Sequence, residues 1–362
     1  MQQHQVTQVD FQGQHVHVGI DVAQRSWRVH ILVGDLFHKR FSQRPDPEAL
    51  VGYLKRNFPG ATYHVVYEAG YCGFWIHARF QELGIDCIVT NPADVPTSDK
   101  ERRHKNDTVD AGKLVREHQK GSLKAIYVPD RAALEDRNLV RMRAAFVSKQ
   151  TRCKNQIKAF LAFYGYKQHE EEAGPEHYWS RTYVSWIESI AMKRESGQGA
   201  LRMLLKELVF LRESIAGLTK QIRRLARDER YQKDVRQLLT VSGVGLICAM
   251  TMLTELVTIT RFKGLDQLAC YTGLIPGERS SGDTEIITGI TERRNAAMRH
   301  LLIECAWIAK REDPAMLLAF NELRKRMKGR DAIIRIARKL LNRMRFVLRH
   351  DEPYVTGVLT SD

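Results

Sequence analysis

The sequence predicts an α/β domain over residues 14–128, a helical and coiled-coil region over 129–231, and a mostly α-helical unit over 232–350. Three observations predict this order. Short β-rich runs alternate with helical stretches up to about residue 128, which describes an α/β layer. After Pro129 the pattern turns helical and includes a sustained heptad stripe. From about residue 232 a compact unit carries a glycine turn before the apolar helix Leu246 to Leu256, and residues 321–349 read as one or two basic amphipathic helices.

His15-Val-His-Val-Gly-Ile-Asp21-Val is β-rich, and Trp27-Arg-Val-His-Ile-Leu-Val33 alternates like a half-buried partner strand. Pro47 to Asn57 reads as a helix with Leu50, Val51 and Leu54 on one stripe. A third β run, Tyr63 to Tyr67, ends at Glu68; a helix follows from about Gly73 to Leu83, and Gly84 to Thr90 is a further short strand closed by Asn91-Pro92. Residues 96–107 are polar and basic and read as an exposed loop, with a helix from Asp107 onward. Residues 131–160 carry Arg131, Arg137, Arg141, Arg143, Lys149, Arg152, Lys154 and Lys158 against Glu135 and Asp136. Residues 168–200 read as a polar, irregular insertion. Leu201, Leu204, Leu208, Leu211, Ile215, Leu218, Ile222 and Leu225 then recur at three- and four-residue steps. That is a coiled-coil seam or, equally, a long amphipathic helix packed within its own chain. Residues 321–349 hold eleven Arg or Lys and two acids, with Ile333, Ile336, Leu340 and Met344 on an apolar stripe. They read as basic amphipathic helices whose charged face is either merely solvated or set against phosphates.

The 362 residues carry a net charge of +15, and a polyanionic partner is the simplest reason for that excess. Six scattered cysteines with no CxxC pair argue against a disulfide frame or a zinc site. No apolar run approaches the roughly 18–20 residues of a membrane span, and the start Met-Gln-Gln-His-Gln is not a signal peptide. A soluble, cytoplasmic protein is expected.

Asp21 lies in an apolar strand, where an acid is costly unless ligated or paired. Glu68 ends its own strand in the same way, and Asp107 and Asp110 are one helical turn apart. Each acid alone has an ordinary explanation; Asp107 would cap its helix. Together, four acids from two strands and one helix suit hard cations bound through oxygen, and two such ions serve phosphodiester exchange. In the C-terminal unit, Leu238-Leu-Thr-Val-Ser-Gly243-Val-Gly245 before an apolar helix reads as a helix–hairpin–helix turn or an ordinary capped turn. Gly273-Leu-Ile-Pro276, Ser280-Ser281-Gly282 and Asn295 follow.

Val-Gly-Ile-Asp21-Val-Ala, Tyr-Glu68-Ala-Gly, Asn91-Pro92 and Lys-Asn-Asp107-Thr-Val-Asp110-Ala resemble the N-terminal domain of the DEDD insertion-sequence transposases. These are Piv-like recombinases whose catalytic domain is RuvC-like, an RNase H-type fold. The Gly-x-Gly turn, Arg261-Phe262, Gly-Leu-x-Pro and Ser-Gly resemble that family's C-terminal transposase domain. The departures are Asn106, Gly70 and Tyr71 after Glu68-Ala, Ser242 and Arg294, where the family usually has Thr, Thr-Gly, Pro and Gly. The resemblance implies Asp21, Glu68, Asp107 and Asp110 as ligands of Mg²⁺ (or Mn²⁺). It implies Ser281, or failing that Ser280, as the nucleophile that forms a covalent phosphoserine with DNA. It also implies DNA as partner, a structured guide (bridge) RNA, and a homo-oligomer, dimer or tetramer, through the helical region. Two rival readings stand beside it: a hydrolytic RuvC-like nuclease or junction resolvase with the serine idle, and a catalytically inert nucleic-acid-binding protein.

Overall fold

A computed structural model describes residues 10–96, 107–166, 178–281, 284–291 and 294–357, with backbone only for 107–110 and 277–289. The chain divides into two compact units, residues 1–128 and 129–362. Among the described residues no helix is long and apolar enough to cross a membrane.

The first unit is a mixed five-stranded sheet. Strands β1 (His15–Val22), β2 (Trp27–Val33) and β3 (Leu36–Gln43) form an antiparallel meander; after helix α1 (Pro47–Asn57), β4 (Thr62–Glu68) pairs parallel with β1. Helix α2 (Trp75–Glu82) then leads to β5 (Asp86–Thr90), parallel to β4, giving the order β3-β2-β1-β4-β5. Val16, Val18 and Ile20 alternate onto one face and pack with Leu50, Leu54, Ile76 and Phe80 of α1 and α2. Asp46 starts α1 where its side chain accepts from Ala49 N at 2.9 Å, with Pro47 in the first turn.

The alternate residues of β1, His17, Gly19 and Asp21, face helix α3 (Asp107–Gln119). A Cβ on Gly19 would lie 2.4 Å from the Ala111 carbonyl oxygen and 2.9 Å from Val115 N, so only glycine lets this helix rest on the strand. Gly112 allows the same close approach to the neighbouring strand β2, where a Cβ would meet the His30 ring at 2.9 Å. Further along α3, His118 meets His17 at the start of β1, so helix and strand run antiparallel. The rings of His15, His17 and His64 stack there, with His64 bonded to His15 and to Asp86 at 2.9 Å each. Among the described residues the buried His17 Nδ1 and His118 Nδ1 find no hydrogen-bond partner.

The second unit begins with α4 (Arg131–Phe163), followed by α5 (Arg181–Ser189) and α6 (Glu195–Leu225). Cys153 bonds the Leu204 carbonyl and Arg143 Nε donates to Thr219 Oγ1, so α4 and α6 run antiparallel. Leu201, Leu208 and Leu211 of the heptad stripe are buried in one cluster with Ile157 and Leu161 of α4 and Tyr183 and Ile187 of α5. The stripe therefore packs within its own chain here. The remainder comprises α7 (Glu229–Leu239), α8 (Leu246–Leu256), α9 (Leu265–Thr272), the hairpin β6 (Pro276–Ser281) and β7 (Thr284–Ile290), α10 (Ala296–Glu312), α11 (Pro314–Arg324) and α12 (Gly329–His350). These helices share one apolar core, to which α12 contributes Ile333, Ile336, Leu340, Leu341, Met344 and Val347.

Three elements depart from expectation. Strand β3 carries no apolar alternation, because nearly all of it is exposed. Helix α5 lies in the stretch read as irregular, yet buries Tyr183, Val184 and Ile187 behind a Ser180 cap. Ser280 and Ser281 end a β-strand that sequence reasoning left unassigned. The basic loop at 96–107 falls almost wholly outside the described residues.

Gly19→Ala is expected to cost about 1–3 kcal/mol through overpacking against α3. Gly52→Ala, on α1 with open space around it, should gain about 0.5–1 kcal/mol; urea unfolding of both variants checks the pair. The His17 pKa is pushed down to about 4, by burial first and then by His64, His118 and His15. A depressed histidine favours folding only while both states are neutral, so stability should fall as pH drops from about 6.5 toward 4. Unfolding midpoints measured across that window should flatten in His17→Phe.

Candidate active site

Ile20 pairs with Tyr67 across the parallel β1–β4 ladder, so Asp21 and Glu68 are the next residues at the same edge of the sheet. Both are half-buried, and Asp21 lies opposite Arg28 on β2. Their register puts them on the face that Gly19 and Val66 present to α3, Val66 packing with Leu114 of that helix. Because α3 runs antiparallel to β1, its first turn, holding Asp107 and Asp110 in sequence, lies toward this edge. The backbone thus brings the elements bearing all four acids to one end of the sheet. Among the described residues no group of three or more His, Cys, Asp or Glu is arranged to hold a metal ion.

The loop leaving Glu68 is fixed from beneath. Tyr67 is fully buried, its hydroxyl donating to the Gly73 carbonyl and accepting from His77 N, both at 3.3 Å, while Ala69 N bonds the Thr90 carbonyl at 2.8 Å. Above this loop Tyr71 and Trp75 are 70% and 50% exposed, an aromatic rim that no sequence motif marked.

Ser281 belongs to the second unit, as the last residue of β6, paired with Thr284; Ser280 pairs with Glu285. The base of this hairpin is tightly held. Thr291 N bonds the Ile275 carbonyl at 3.2 Å, Arg299 donates to the Thr291 carbonyl, and Asn295 N bonds the Tyr271 carbonyl at 3.0 Å. Asn295 also caps α10 through Met298 N and donates its side-chain amide to Glu255 Oε2 at 2.8 Å.

Glu255 is 1% exposed and receives Arg141 twice, Nε at 2.6 Å and Nη2 at 2.8 Å. Arg137 stands 3.8 Å away and donates to the Thr254 carbonyl at 3.0 Å. Burial pushes the Glu255 carboxyl up, but Arg141, Asn295 and Arg137 together hold it below the usual carboxylate range. Sequence reasoning assigned these arginines to a basic stripe and passed over Glu255. The signal was present: Glu255 is the acid in the apolar helix Leu246–Leu256, the same anomaly that marked Asp21.

The turn at Gly243 is a packing device. With φ of +81°, a Cβ there would lie 2.5 Å from the Cys305 carbonyl oxygen of α10.

Removing Glu255 strands charge in a buried site, so Glu255→Gln should cost about 3–5 kcal/mol. In a double-mutant cycle with Arg141→Ala, urea unfolding should show the paired loss falling well short of the sum of the single losses.

The comparisons with known proteins follow this division of the chain. A DEDD transposase model of the IS110 type matches residues 18–165, and one described as Transposase IS116/IS110/IS902 family matches residues 235–320. The Sinorhizobium fredii protein y4qE, provisionally named a transposase, is 31% identical over 67% of this chain, which spans 57% of that relative's length. A second such protein of that organism, y4rJ, is 29% identical over 76% of the chain and 74% of its own length. The transposase for insertion sequence element IS1111A of Coxiella burnetii is 25% identical over 67% of the chain and 64% of its own length. The chain belongs to the DEDD insertion-sequence transposases of the IS116/IS110/IS902 family.

Proposed function

We propose that this chain is a DNA transposase that cuts and rejoins strands through a covalent phosphoserine on Ser281. The observation that carries the reading is the shared edge of β1, β4 and α3, where Asp21 and Glu68 are next-door strand ends and Asp107 and Asp110 open the helix. The sheet order β3-β2-β1-β4-β5, antiparallel then parallel, supports a RuvC-like, RNase H-type domain.

The chemistry of the donor set fits a divalent metal. Carboxylates on the strand ends and the helix start are hard oxygen ligands of the kind Mg²⁺ or Mn²⁺ takes. Bound there, such ions would supply charge stabilisation at the reacting phosphate. Asp21, Glu68, Asp107 and Asp110 would hold them.

In the serine step, Ser281 Oγ forms a P–O bond to the scissile phosphorus while the bond to the departing sugar oxygen breaks. The serine proton leaves and the departing oxygen takes one up. One phosphodiester replaces another, so the step is reversible and a new sugar hydroxyl can rejoin the strand. The hydrogen bonds from Thr291, Asn295 and Arg299 at the hairpin base support a rigid platform for such a nucleophile. Exposed Tyr71 and Trp75 beside the acids suit contact with unstacked bases. Guidance by a structured RNA and pairing of protomers through the helical region belong to the same proposal. Met203 and Phe210, 63% and 59% exposed on α6, support the latter.

Covalent trapping tests this reading. The protein is incubated with Mg²⁺, the element's DNA ends and RNA transcribed from its flanks, and adducts are mapped by peptide mass spectrometry. An adduct on Ser281 is expected, with loss on the order of 10⁴-fold or more in Ser281→Ala and in Asp21→Asn. Cleaved ends without an adduct would replace the serine by water, and an adduct surviving Asp21→Asn would remove the metal-site assignment.

A further inference from the structure

A second feature of the first unit lies away from the acid edge. Between the meander and the C-terminal half of α3 is a cleft of about 490 Å³ lined by His30, Phe37, Arg40, Arg116, Gln119 and Lys120, with Leu32 and Asp35 completing the wall. Its charge is lopsided. Asp35 is held by the Gln119 amide at 2.7 Å, and Lys120 is paired with Glu117 at 3.2 Å. Among the described residues neither Arg40 nor Arg116 has a carboxylate partner. Beside them Phe37 is 58% exposed on the edge strand, its ring edge-on to His30 with centroids 4.9 Å apart. Burial, then Arg116, then Arg40 push the His30 pKa down, so the imidazole is neutral at physiological pH.

We propose that this cleft binds a single-stranded segment of nucleic acid, its phosphates on Arg40 and Arg116 and an unstacked base on Phe37. Two cations without carboxylate partners flanking an exposed aromatic ring match the phosphate and the base of one strand. A duplex keeps its bases stacked inside and offers no face to Phe37. The volume lies within the range of clefts that take small ligands, about 300–1,000 Å³, and is too small for a double helix. Neutral His30 adds a donor and an acceptor for a base edge.

The cleft is also placed usefully. Arg116 is six residues beyond Asp110, roughly 9 Å along the α3 axis. A strand reacting at the acid edge therefore needs to run only a short way along the helix to be gripped. This inference deepens the transposase reading and rests on it for the identity of the strand. DNA and RNA share the phosphate and base chemistry used here.

The test uses full-length protein without divalent metal, so that binding is read without cutting. Fluorescence anisotropy follows short labelled oligothymidylate DNA and oligouridylate RNA across a salt series. Arg40→Ala with Arg116→Ala should make the slope of log affinity against log salt shallower by about 1.4, roughly 0.7 per single-strand phosphate lost. Arg40→Lys with Arg116→Lys should keep the slope. Phe37→Ala should weaken binding about 5- to 150-fold with the slope unchanged. A 4-thio base in either probe should cross-link to the peptide that carries Phe37, and the better-held probe names the strand. Circular dichroism and melting of each variant establish that it is folded, as expected for exposed side chains on an edge strand and on the surface of α3.

Parental affinity and slope in all the alanine variants, with cross-links only elsewhere, would overturn the proposal. So would a duplex probe that alone depends on Phe37 and the arginines. Loss of the Ser281 adduct with cleft binding intact would overturn the chemistry and leave this site standing.

Discussion

The contact on which the first unit depends is the approach of α3 to β1 at Gly19. No side chain separates the two backbones; the position of a Cβ is already taken by the Ala111 carbonyl oxygen. Contact this close fixes the height and the direction of the helix together. Since the helix runs against the strand, its start falls at the end of β1 where Asp21 stands, and its finish falls over the histidine stack. The amide dipoles at a helix start favour nearby negative charge, commonly by about 0.3–1 kcal/mol for an exposed group. The geometry that closes the core therefore also eases the gathering of acids at this edge. The same device recurs at Gly243, whose Cα rests on the backbone of α10 and whose positive φ excludes other residues for a second reason.

Much of the first unit is written in period-two burial. In β1 Val16, Val18 and Ile20 alternate with residues facing the other way, and β2 alternates likewise. Strands β4 and β5 were legible instead as short β-rich apolar runs, with Val65, Val66 and Tyr67 buried in succession. Strand β3 was not, because an exposed edge strand needs no alternation; Leu36 to Arg40 all face solvent. Helix α5 was hidden by its polar flanks, although Tyr183, Val184 and Ile187 already had helical spacing. The β6–β7 hairpin was missed because its register is set by what holds its base, Asn295, Tyr271 and Arg299, and these contacts span distances that local pattern cannot report.

The acids divide in the same way. Asp21 stood out because an apolar strand gives an acid no local reason to exist. That rule flags Glu255 equally well, and the structure explains Glu255 differently: it is the buried hub of Arg141, Arg137 and Asn295. The rule finds acids that need partners. It does not say whether the partner is a protein cation or something bound, and the distinction comes from what the fold brings up to the carboxylate.

A related distinction governs the basic residues. The excess of positive charge reads as a footprint for a polyanion, but an arginine that serves the fold cannot also serve a phosphate. Arg137 is 9% exposed and bonds backbone carbonyls, and Arg141 is committed to Glu255. In α12, Arg343 meets Asp313, a 1% exposed acid that also caps α11 and accepts from Tyr354, and Arg349 bonds the Phe262 carbonyl. In the sequence these cations sit within two basic runs, and the interior uses them as counter-charges. A charged partner must then be met by those left over. On α12 these include Arg335 and Lys339, which are exposed; on the first unit they include Arg40 and Arg116, which stand around an open aromatic ring. Among the described residues these two have no carboxylate partner, and their placement beside that ring, more than the size of the net charge, is what supports the proposed grip on a strand whose bases are free.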